Sequence, residues 1–319
     1  MKEIRQLSQN DRDIVSGYLA KYPPEISEST FTNLFVWRQS RPLFVFEHHK
    51  TLVFLLPQPL EDTNQFILFG PPIGTAPLPD ILEMFEYPVI GAIRFSEKEA
   101  EKLQKSGYEI KEDRDNADYV YLTEDLMHLT GRRYAKKRNL IKQCLNSHNC
   151  VYEPLTRHNI PECSTFLDRW CHSRQCGKNP GLCTEFHALR ETLFQYDYFN
   201  LIGGVIRIDG IIQAFAIAEQ LRSDTAVCHF EKANPEIRGL PQLIIQWFTR
   251  NSLGQFKYVN REQDLGLPGL RHAKESYYPD HMVMKYLIQF EHTGTMLSGK
   301  EKGIQVTECT MTHECREQD

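Results

Sequence analysis

The chain has 319 residues, of which 41% are hydrophobic and 25% are charged, and its formal net charge is −5. This length suits two domains of about 150 residues, and the composition excludes a wholly disordered chain. The acidic balance excludes a protein coated with nucleic acid, and no apolar run reaches the ~18 residues of a membrane helix. Nine cysteines and an N-terminus without an apolar core argue against a secreted, disulfide-linked protein, so a cytoplasmic location with reduced thiols is expected.

The first half of the sequence predicts alternating strands and helices. Strands are expected at residues 4–7, 65–69, 89–95 and 119–122, with a hairpin around 48–50. Helices are expected at residues 11–21, 31–38, 79–85 and 97–106. We interpret this half as a domain that covers residues 1–122.

A strongly basic segment separates the two halves. Residues 123–150 are the expected connector, with a helix over 126–146. Five cations fall within seven residues, namely Arg132, Arg133, Lys136, Lys137 and Arg138. Because like charges repel one another, we expect these side chains to bind phosphates of tRNA or another polyanion, with Arg132, Lys136 and Lys137 as positioning contacts. An ordinary solvated, charge-rich helix is the alternative.

The second half carries clearer signals. A strand at 150–156 and helices at 159–174 and 184–196 precede two β-rich runs joined by Asp209-Gly210, a pair typical of a tight hairpin because both positions accept positive φ. A strand at 226–231, a helix at 241–251, a strand at 256–261, a helix at 268–277 and a strand at 282–288 follow. We expect a domain over 151–290 and a loose polar tail over 291–319.

The predicted order in the second half is β-α-α-β-β-β-α-β-α-β, and the first half repeats it more faintly. A hairpin followed by crossover units predicts a mixed sheet in each half, so the fold class is α/β with mixed sheets. This order resembles the GNAT fold of acyl-CoA N-acyltransferases. The sequence therefore predicts two tandem GNAT-like domains, with a single irregular α/β domain as the alternative.

Two long motifs point to a known family. The stretches Asp125–Asn139 (DLMHLTGRRYAKKRN) and Tyr258–Tyr277 (YVNREQDLGLPGLRHAKESY), with Pro279 after them, are similar to the DUF2156 family, also called the phosphatidylglycerol lysyltransferase C-terminal domain. The similarity covers nearly everything up to about residue 290. It implies two tandem GNAT-like domains and kinship with enzymes that move an aminoacyl group from a charged tRNA to a lipid head group. Those enzymes carry a membrane-embedded portion ahead of this domain, which this sequence lacks, so a small molecule and a lipid head group both remain possible acceptors.

The segment after residue 231 is where this fold would bind the pyrophosphate of coenzyme A. Acetyl-CoA enzymes of this fold hold the pyrophosphate on backbone amides at a helix start, in a Gln/Arg-x-x-Gly-x-Gly/Ala loop. Around Gly239, this sequence instead has Glu236, which adds negative charge, and Pro241, which removes an amide donor. Acetyl-CoA is therefore less favoured than aminoacyl-tRNA as co-substrate, and no organic cofactor is expected.

Cysteines and histidines are the candidate metal ligands. Cys163, Cys171, Cys176 and Cys183 fall beside His172 and His187, and the tail contains Cys309, His313 and Cys315. Their spacing lacks the paired C-x₂₋₄-C pattern of structural zinc. No metal site is predicted.

The segment 260–277 brings many ionisable groups to a strand end, where ligands tend to bind in α/β sheets. We predict Asp264 as base or anchor for an acceptor amine, Tyr277 as donor to a developing oxyanion, and Arg261 or Lys274 facing the donor's negative charge. The expected substrate-binding residues are Asn260, Arg261, Glu262 and Arg271. A salt-bridged surface loop is the alternative.

These features favour an acyltransferase, most concretely one that transfers an aminoacyl group from tRNA to an amine or hydroxyl acceptor. Attack on an activated ester needs positioning, a base and an oxyanion donor, and it requires no metal. The alternatives are a CoA-dependent N-acyltransferase and a non-catalytic module that binds a metabolite or RNA.

Overall fold

The computed structural model describes residues 4–60, 63–85 and 87–290. These residues form two compact units. One unit contains the described residues up to Asp113 and those from Met284 onward, and the other is Arg114–Val283. The predicted tail, 291–319, lies outside the described residues, together with Cys309, His313 and Cys315.

Strands and helices alternate through the described residues up to 113. The strands are β1 (Arg5–Gln6), β2 (Phe44–His48), β3 (Thr51–Leu60), β4 (Thr63–Phe69), β5 (Ile73–Gly74), β6 (Val89–Ser96) and β7 (Glu109–Glu112). The helices are α1 (Arg12–Lys21), α2 (Phe31–Val36), α3 (Leu78–Leu82) and α4 (Glu97–Lys105). Side chains stabilise two of these helix starts: the Thr30 hydroxyl accepts a hydrogen bond from the Asn33 amide, and Ser96 and Glu99 form a capping box.

The chain from residue 114 onward has a second series of elements. Its strands are β8 (Asp118–Leu122), β9 (Cys150–Pro154), β10 (Ile202–Ile208), β11 (Ile211–Arg222), β12 (Thr225–Ala233), β13 (Tyr258–Asn260), β14 (His281–Val283) and β15 (Lys285–Gln289). Its helices are α5 (Thr123–His128), α6 (Ala135–Ser147), α7 (Ile160–Ser173), α8 (Pro180–Phe194), α9 (Tyr196–Phe199), α10 (Leu240–Ser252) and α11 (Pro268–Glu275). The predicted hairpin is confirmed: Asp209 and Gly210 turn at φ 52° and 81° between β10 and β11.

Each unit is built on one mixed sheet, as predicted. The first sheet has the order β1-β2-β3-β4-β6-β15-β7, with β5 beside β3, and its β4 and β6 are parallel. The second sheet has the order β14-β8-β13-β12-β11-β10-β9, and its β12 and β13 are parallel. The other recorded strand pairs are antiparallel, which gives the α/β architecture with mixed sheets.

The unit boundaries differ from the predicted ones because two strands change sheets. β8, expected to close the first unit, pairs with β13 and β14 in the second sheet. The expected single strand at 282–288 is divided at Met284, and its second part, β15, pairs with β6 and β7 in the first sheet. Tyr119, Val120 and Tyr121 are buried, and a strand buried on both faces needs a partner along each edge. The first sheet thus takes one inner strand, β15, from the end of the described chain, and β8 belongs to the second sheet from its start.

The predicted connector is an integral part of the second unit. The expected continuous helix over 126–146 is interrupted between α5 and α6, where Leu129 and Gly131 adopt φ values of 49° and 88°. The Leu129 amide bonds to the Asp125 carbonyl and ends α5. The interrupted segment contributes buried side chains to the core that α10 also lines, among them Leu126, Tyr134, Ile141 and Cys144.

Among the described residues, no helix has the length and apolar character needed to cross a membrane.

Candidate active site

The candidate site lies where two strands of the second sheet stop pairing. β12 and β13 pair in parallel up to Val227 and Asn260, whereas β12 continues to Ala233. The register between β11 and β12 shifts at Ala218, so His229 has no residue opposite it. Ionisable side chains from β12, from the segment after β13, and from α6 and α11 gather beyond this point.

Arg261 directly follows β13, and its guanidinium lies between the Glu231 carboxylate and the aromatic rings of Tyr277 and Tyr121. Its Nε and Nη2 donate to the Glu231 carboxylate at 2.9 and 2.5 Å. Its Cζ atom lies 5.0 Å from the ring centroid of Tyr277 and 5.5 Å from that of Tyr121. Burial alone would raise the pKa of Glu231, but Arg261 lowers it below its ordinary value. The remaining nitrogen of Arg261, Nη1, is buried and has no hydrogen-bond partner among the described residues.

Tyr277 is buried, with 3% of the residue exposed. Its carbonyl oxygen accepts a hydrogen bond of 2.8 Å from the Tyr134 hydroxyl, which fixes the backbone at the end of α11. The Tyr277 hydroxyl itself is buried without a hydrogen-bond partner in the described part of the chain. Burial raises the pKa of this hydroxyl, so it stays protonated and remains a donor.

Lys137 of α6 faces the same tyrosine. Its Nζ lies 3.7 Å from the Tyr277 ring centroid and donates to the Ser276 hydroxyl oxygen at 2.7 Å. Burial lowers the pKa of Lys137 to about 8, with repulsion from Arg261 and Lys136 in the same direction. Of the five predicted phosphate contacts, this one lies beside the buried donors.

Lys274 and Asn260 shape the backbone that carries Arg261. The Lys274 ammonium donates to the carbonyl oxygens of Arg261 and Glu262, the latter at 3.2 Å. Burial lowers the pKa of Lys274 to about 8. Asn260 is buried: its Nδ2 donates to Asp118 at 3.0 Å, and its Oδ1 accepts from the Glu262 amide at 2.8 Å. The geometry assigns both side chains to holding the turn at Glu262, which has a φ of 56°.

Glu262 also belongs to a buried charged triad. His229 lies between two carboxylates, with Nδ1 2.7 Å from Glu262 and Nε2 2.8 Å from Glu219. Burial would lower the pKa of His229, but its two carboxylate partners raise it to about 10. The imidazole is therefore a fixed cation at neutral pH. Sequence reasoning missed this triad because its members are far apart along the chain.

Asp264 is fully buried and surrounded by donors. Its carboxylate accepts from Arg114 at 3.1 Å, from the Tyr119 hydroxyl at 2.6 Å, from the Gly266 amide at 2.8 Å, and from Arg271 at 2.9 and 3.0 Å. Burial would raise the pKa of Asp264, but these donors lower it far below its ordinary value. Both Asp264 oxygens accept hydrogen bonds from protein groups, and these bonds hold the loop before α11 in place. The predicted roles of Asp264 as base or acceptor anchor and of Arg271 as a substrate contact stay predictions beside this observed structural role.

Two of the remaining basic residues serve the fold. Arg133 pairs with Asp125 at 2.8 Å and lies over the Tyr134 ring at 4.9 Å. Arg138 donates to the carbonyl oxygens of Leu129 and Gly131, which stabilises the turn between α5 and α6. The cations of Arg133 and Arg138 thus interact with neighbouring groups of the same segment.

Arg132 and Lys136 differ from these two. Both side chains are exposed, and neither forms an ion pair within the described ranges. They lie in the turn before α6 and in its first turn, close in sequence to Lys137. Their cations are thus open to an outside anion.

The family model described as phosphatidylglycerol lysyltransferase, C-terminal, matches residues 19–289. The chain belongs to this family. No functionally curated protein matches it.

Solved structures agree with this membership. A conserved protein of unknown function from Bacteroides thetaiotaomicron is 27% identical, covers 91% of this chain and 100% of its own, and superposes with a TM-score of 0.81. The C-terminal DUF2156 domain of a putative lysylphosphatidylglycerol synthetase from Agrobacterium fabrum is 14% identical, with coverages of 88% and 91% and a TM-score of 0.62. L-PGS from Bacillus licheniformis is 13% identical, with coverages of 89% and 92% and a TM-score of 0.59. The last two establish a shared fold.

In this member of the family, the start of α10 is poorly suited to a pyrophosphate. The Leu240 amide donates to the Ile237 carbonyl at 3.2 Å, and Pro241 has no N–H. A Cβ atom on Gly239 would lie 2.1 Å from the Leu140 carbonyl oxygen, so α6 packs directly against this helix start. These contacts leave few amides for the anion-binding arrangement that coenzyme A requires.

The cysteines of the second unit are dispersed. Cys163 and Cys176 are buried, whereas Cys171 and Cys183 are partly exposed. Among the described residues, no group of three or more His, Cys, Asp or Glu side chains is placed to hold a metal ion.

Proposed function

We propose that the chain transfers an aminoacyl group from a charged tRNA to an amine or hydroxyl acceptor, in the cytoplasm, with aminoacyl-tRNA as co-substrate and no organic cofactor. The family and the GNAT-like architecture give the coarser assignment, an acyltransferase-like protein related to lysylphosphatidylglycerol synthases. The donor and the acceptor class are the proposal.

One observation carries the proposal: the Tyr277 hydroxyl and Arg261 Nη1 are buried donors without acceptors in the described structure. A buried polar group left unsatisfied costs about 1–3 kcal/mol, and these two belong to one cluster, since Arg261 Cζ lies 5.0 Å from the Tyr277 ring centroid. An acyl carbonyl oxygen, which gains negative charge when its carbon is attacked, is the acceptor such donors suit. The reactive ester of aminoacyl-tRNA supplies that carbonyl.

Arg132 and Lys136 support tRNA as the carrier of this ester. Their cations are exposed at the N-terminal end of α6, and Lys137 of the same helix faces Tyr277. Phosphate contacts from such residues position a nucleic acid without reading its sequence. This arrangement suits a donor whose acceptor stem lies along α6 and whose 3′ ester reaches the buried donors.

The direct test is transfer from a bulk tRNA pool charged with a mixture of radiolabelled amino acids. The purified chain is incubated with this pool and, in separate reactions, with a protein-free low-molecular-weight cell extract or with total-lipid vesicles. We expect enzyme-dependent loss of label from tRNA and its recovery in a product from one acceptor pool; a base-stable product is an amide and a base-labile one an ester. A labelled lipid would identify a head-group acceptor, and a labelled water-soluble product would identify a small molecule.

Two controls separate the alternatives. Stabilisation against heat by coenzyme A or acetyl-CoA, with no release of label from tRNA, would favour a CoA-dependent N-acyltransferase. Binding of tRNA without transfer to either acceptor pool would favour a non-catalytic module. Either outcome overturns the proposal.

A further inference from the structure

The proposed reaction needs a base, and most ionisable groups near Tyr277 are already committed. The Asp264 carboxylate accepts from two guanidinium groups, a tyrosine and an amide. The two Glu231 oxygens accept hydrogen bonds from Arg261 Nε and Nη2. His229 is held as a cation between Glu219 and Glu262. His229 is already protonated, and proton uptake by Asp264 or Glu231 would remove the charge that holds its guanidinium partners, so these side chains are poorly placed to act as the base.

Lys137 is placed differently from Lys274, the other lysine beside these residues. The Lys274 ammonium is directed at two backbone carbonyls, which favour its charged form. Lys137 has no carboxylate within ion-pair distance in the described part of the chain, and its recorded hydrogen bond goes to the Ser276 hydroxyl. Loss of its proton therefore breaks no ion pair.

Ser276 fixes the direction of this lysine. Its hydroxyl donates to the Ala273 carbonyl oxygen at 2.6 Å, so the hydroxyl oxygen presents a lone pair to Lys137 Nζ. The Tyr277 ring, 3.7 Å from Nζ at its centroid, borders the other side of the amine. The amine is thus held over the ring of Tyr277, whose hydroxyl has no acceptor in the described structure.

We infer that Lys137 is the general base of the proposed transfer, not one of its phosphate contacts; this inference rests on the proposed function. Neutral Lys137 takes a proton from the acceptor amine or hydroxyl as that group bonds to the ester carbonyl carbon. The bond between that carbon and the ribose 3′ oxygen then breaks, and the Lys137 ammonium returns the proton to the leaving oxygen. Tyr277 and Arg261 donate to the carbonyl oxygen during the attack.

The depressed pKa of Lys137, about 8, agrees with this role because a substantial share of the amine is neutral near physiological pH. The rate of transfer should rise about tenfold per pH unit below pH 8 and level off above it. Lys137→Arg keeps the positive charge and removes the base, so we expect a ~10²-fold or greater loss of kcat and loss of this pH limb. Lys142→Arg, an exposed lysine on the same helix, is the matched control and should follow the wild type.

A second measurement does not depend on transfer. Amine labelling by an acylating reagent, mapped by peptide mass spectrometry across pH 6–11, should show Lys137 half-reactive near pH 8 and well below the midpoint of Lys142. Equal midpoints for the two lysines would overturn the assignment.

The outcomes also separate this inference from the proposed function. If the wild type transfers the aminoacyl group and Lys137→Arg keeps both its rate and its pH limb, only the base assignment is wrong. If the wild type transfers nothing from any charged tRNA, the proposed function fails and the base assignment fails with it.

Discussion

Both units bury charged side chains next to a strand that has changed sheets, but the two sets of charges are used differently. In the first unit, the Glu28 carboxylate is 2.5 Å from Lys285 Nζ and 2.7 Å from Arg94 Nε, and Arg94 also pairs with Asp113 at 2.8 Å. Burial would raise the pKa of Glu28, but Lys285 and Arg94 lower it to about 2. Each of these charges meets an opposite charge, and Lys285 is the first residue of β15.

In the second unit, the charges are paired but two buried hydrogen-bond donors are left without acceptors in the described chain. Arg261 uses two nitrogens on Glu231 and keeps a third, and the Tyr277 hydroxyl is also without an acceptor in the described chain. A network in which every buried charge has an opposite partner helps to hold a strand in place. Buried donors without acceptors lower stability, and such a cost is kept where a ligand supplies the missing acceptor. The contrast fits a structural role for the first cluster and the proposed ligand-binding role for the second.

Breaking the matched network should have the largest effect. Glu28→Gln removes the carboxylate and leaves Lys285, which is fully buried, with an uncompensated charge. We expect the free energy of unfolding of the first unit to fall by about 3–5 kcal/mol. Urea unfolding followed by circular dichroism measures this change.

The control for this prediction is an ion pair of the same kind on the surface. Arg157 and Asp197 pair at 2.9 Å, and both side chains are more than half exposed. Asp197→Asn should cost less than ~1 kcal/mol, because exposed pairs contribute little. A Glu28→Gln protein as stable as the Asp197→Asn protein would show that the buried network does not hold β15.

The next prediction concerns His229, which lies beside the site but is paired with the carboxylates of Glu219 and Glu262. The pKa of His229 is raised to about 10 in the folded chain, above the ordinary value of 6.5. Its contribution to stability is therefore complete below pH 6.5 and is lost as the pH rises through 10. His229→Gln should lower the free energy of unfolding by on the order of 3 kcal/mol at pH 6.5, and this difference should shrink towards pH 10.

Glu219 and Glu262 are the ionisable groups that face His229, and the measurements run between pH 6 and 10.5. Denaturant unfolding across this range gives the stability difference at each pH. His158→Gln, at an exposed histidine of the same unit, should reproduce the wild-type profile. A constant difference between wild type and His229→Gln across the range would rule out a buried cation at this position.

Tyr277→Phe sharpens the contrast between the clusters, because it removes an unpartnered group and leaves the ring. Stability should stay the same or rise slightly, since no hydrogen bond among the described residues is lost. If the hydroxyl donates to the oxyanion, kcat for aminoacyl transfer should fall by ~10²-fold. The opposite pattern, reduced stability with unchanged turnover, would place Tyr277 with the structural network.

Local patterns explain what the sequence predicted well. The Asp209-Gly210 hairpin and most helices depend on residues close in sequence, and they were found with small boundary errors. The exchange of β8 and β15 was missed because an apolar strand has the same alternation whichever sheet it joins. Pairing between distant strands is decided by the whole fold.

The same reasoning applies to the site. Arg261, Asp264 and Tyr277 share one conspicuous segment, so all three were selected as candidates. Two partners of Asp264, Tyr119 and Arg114, are 145 and 150 residues away, and no local signal indicates that they bind its carboxylate. A charged residue within an apolar strand, such as Glu231 in β12, is the signal that could have revealed the partner of Arg261.

The smallest expected effect concerns the exposed cations before and within α6. Arg132→Ala with Lys136→Ala should weaken binding of a charged or uncharged bulk tRNA pool by roughly tenfold at low salt. Each lost phosphate contact should reduce the slope of log affinity against log salt concentration by ~0.7–0.9, so the double variant should lose about 1.5 in slope. Filter binding at several salt concentrations measures both quantities.

Lys98→Ala with Lys102→Ala is the matched control for this pair. These lysines are exposed on α4 of the first unit and have the same spacing of four residues as Arg132 and Lys136. Equal changes in slope from the two double variants would mean that tRNA responds to overall charge, and α6 would then have no special part in binding it. A change confined to Arg132 and Lys136 would place the phosphates beside the helix that carries Lys137, because only local contacts release counterions at that surface.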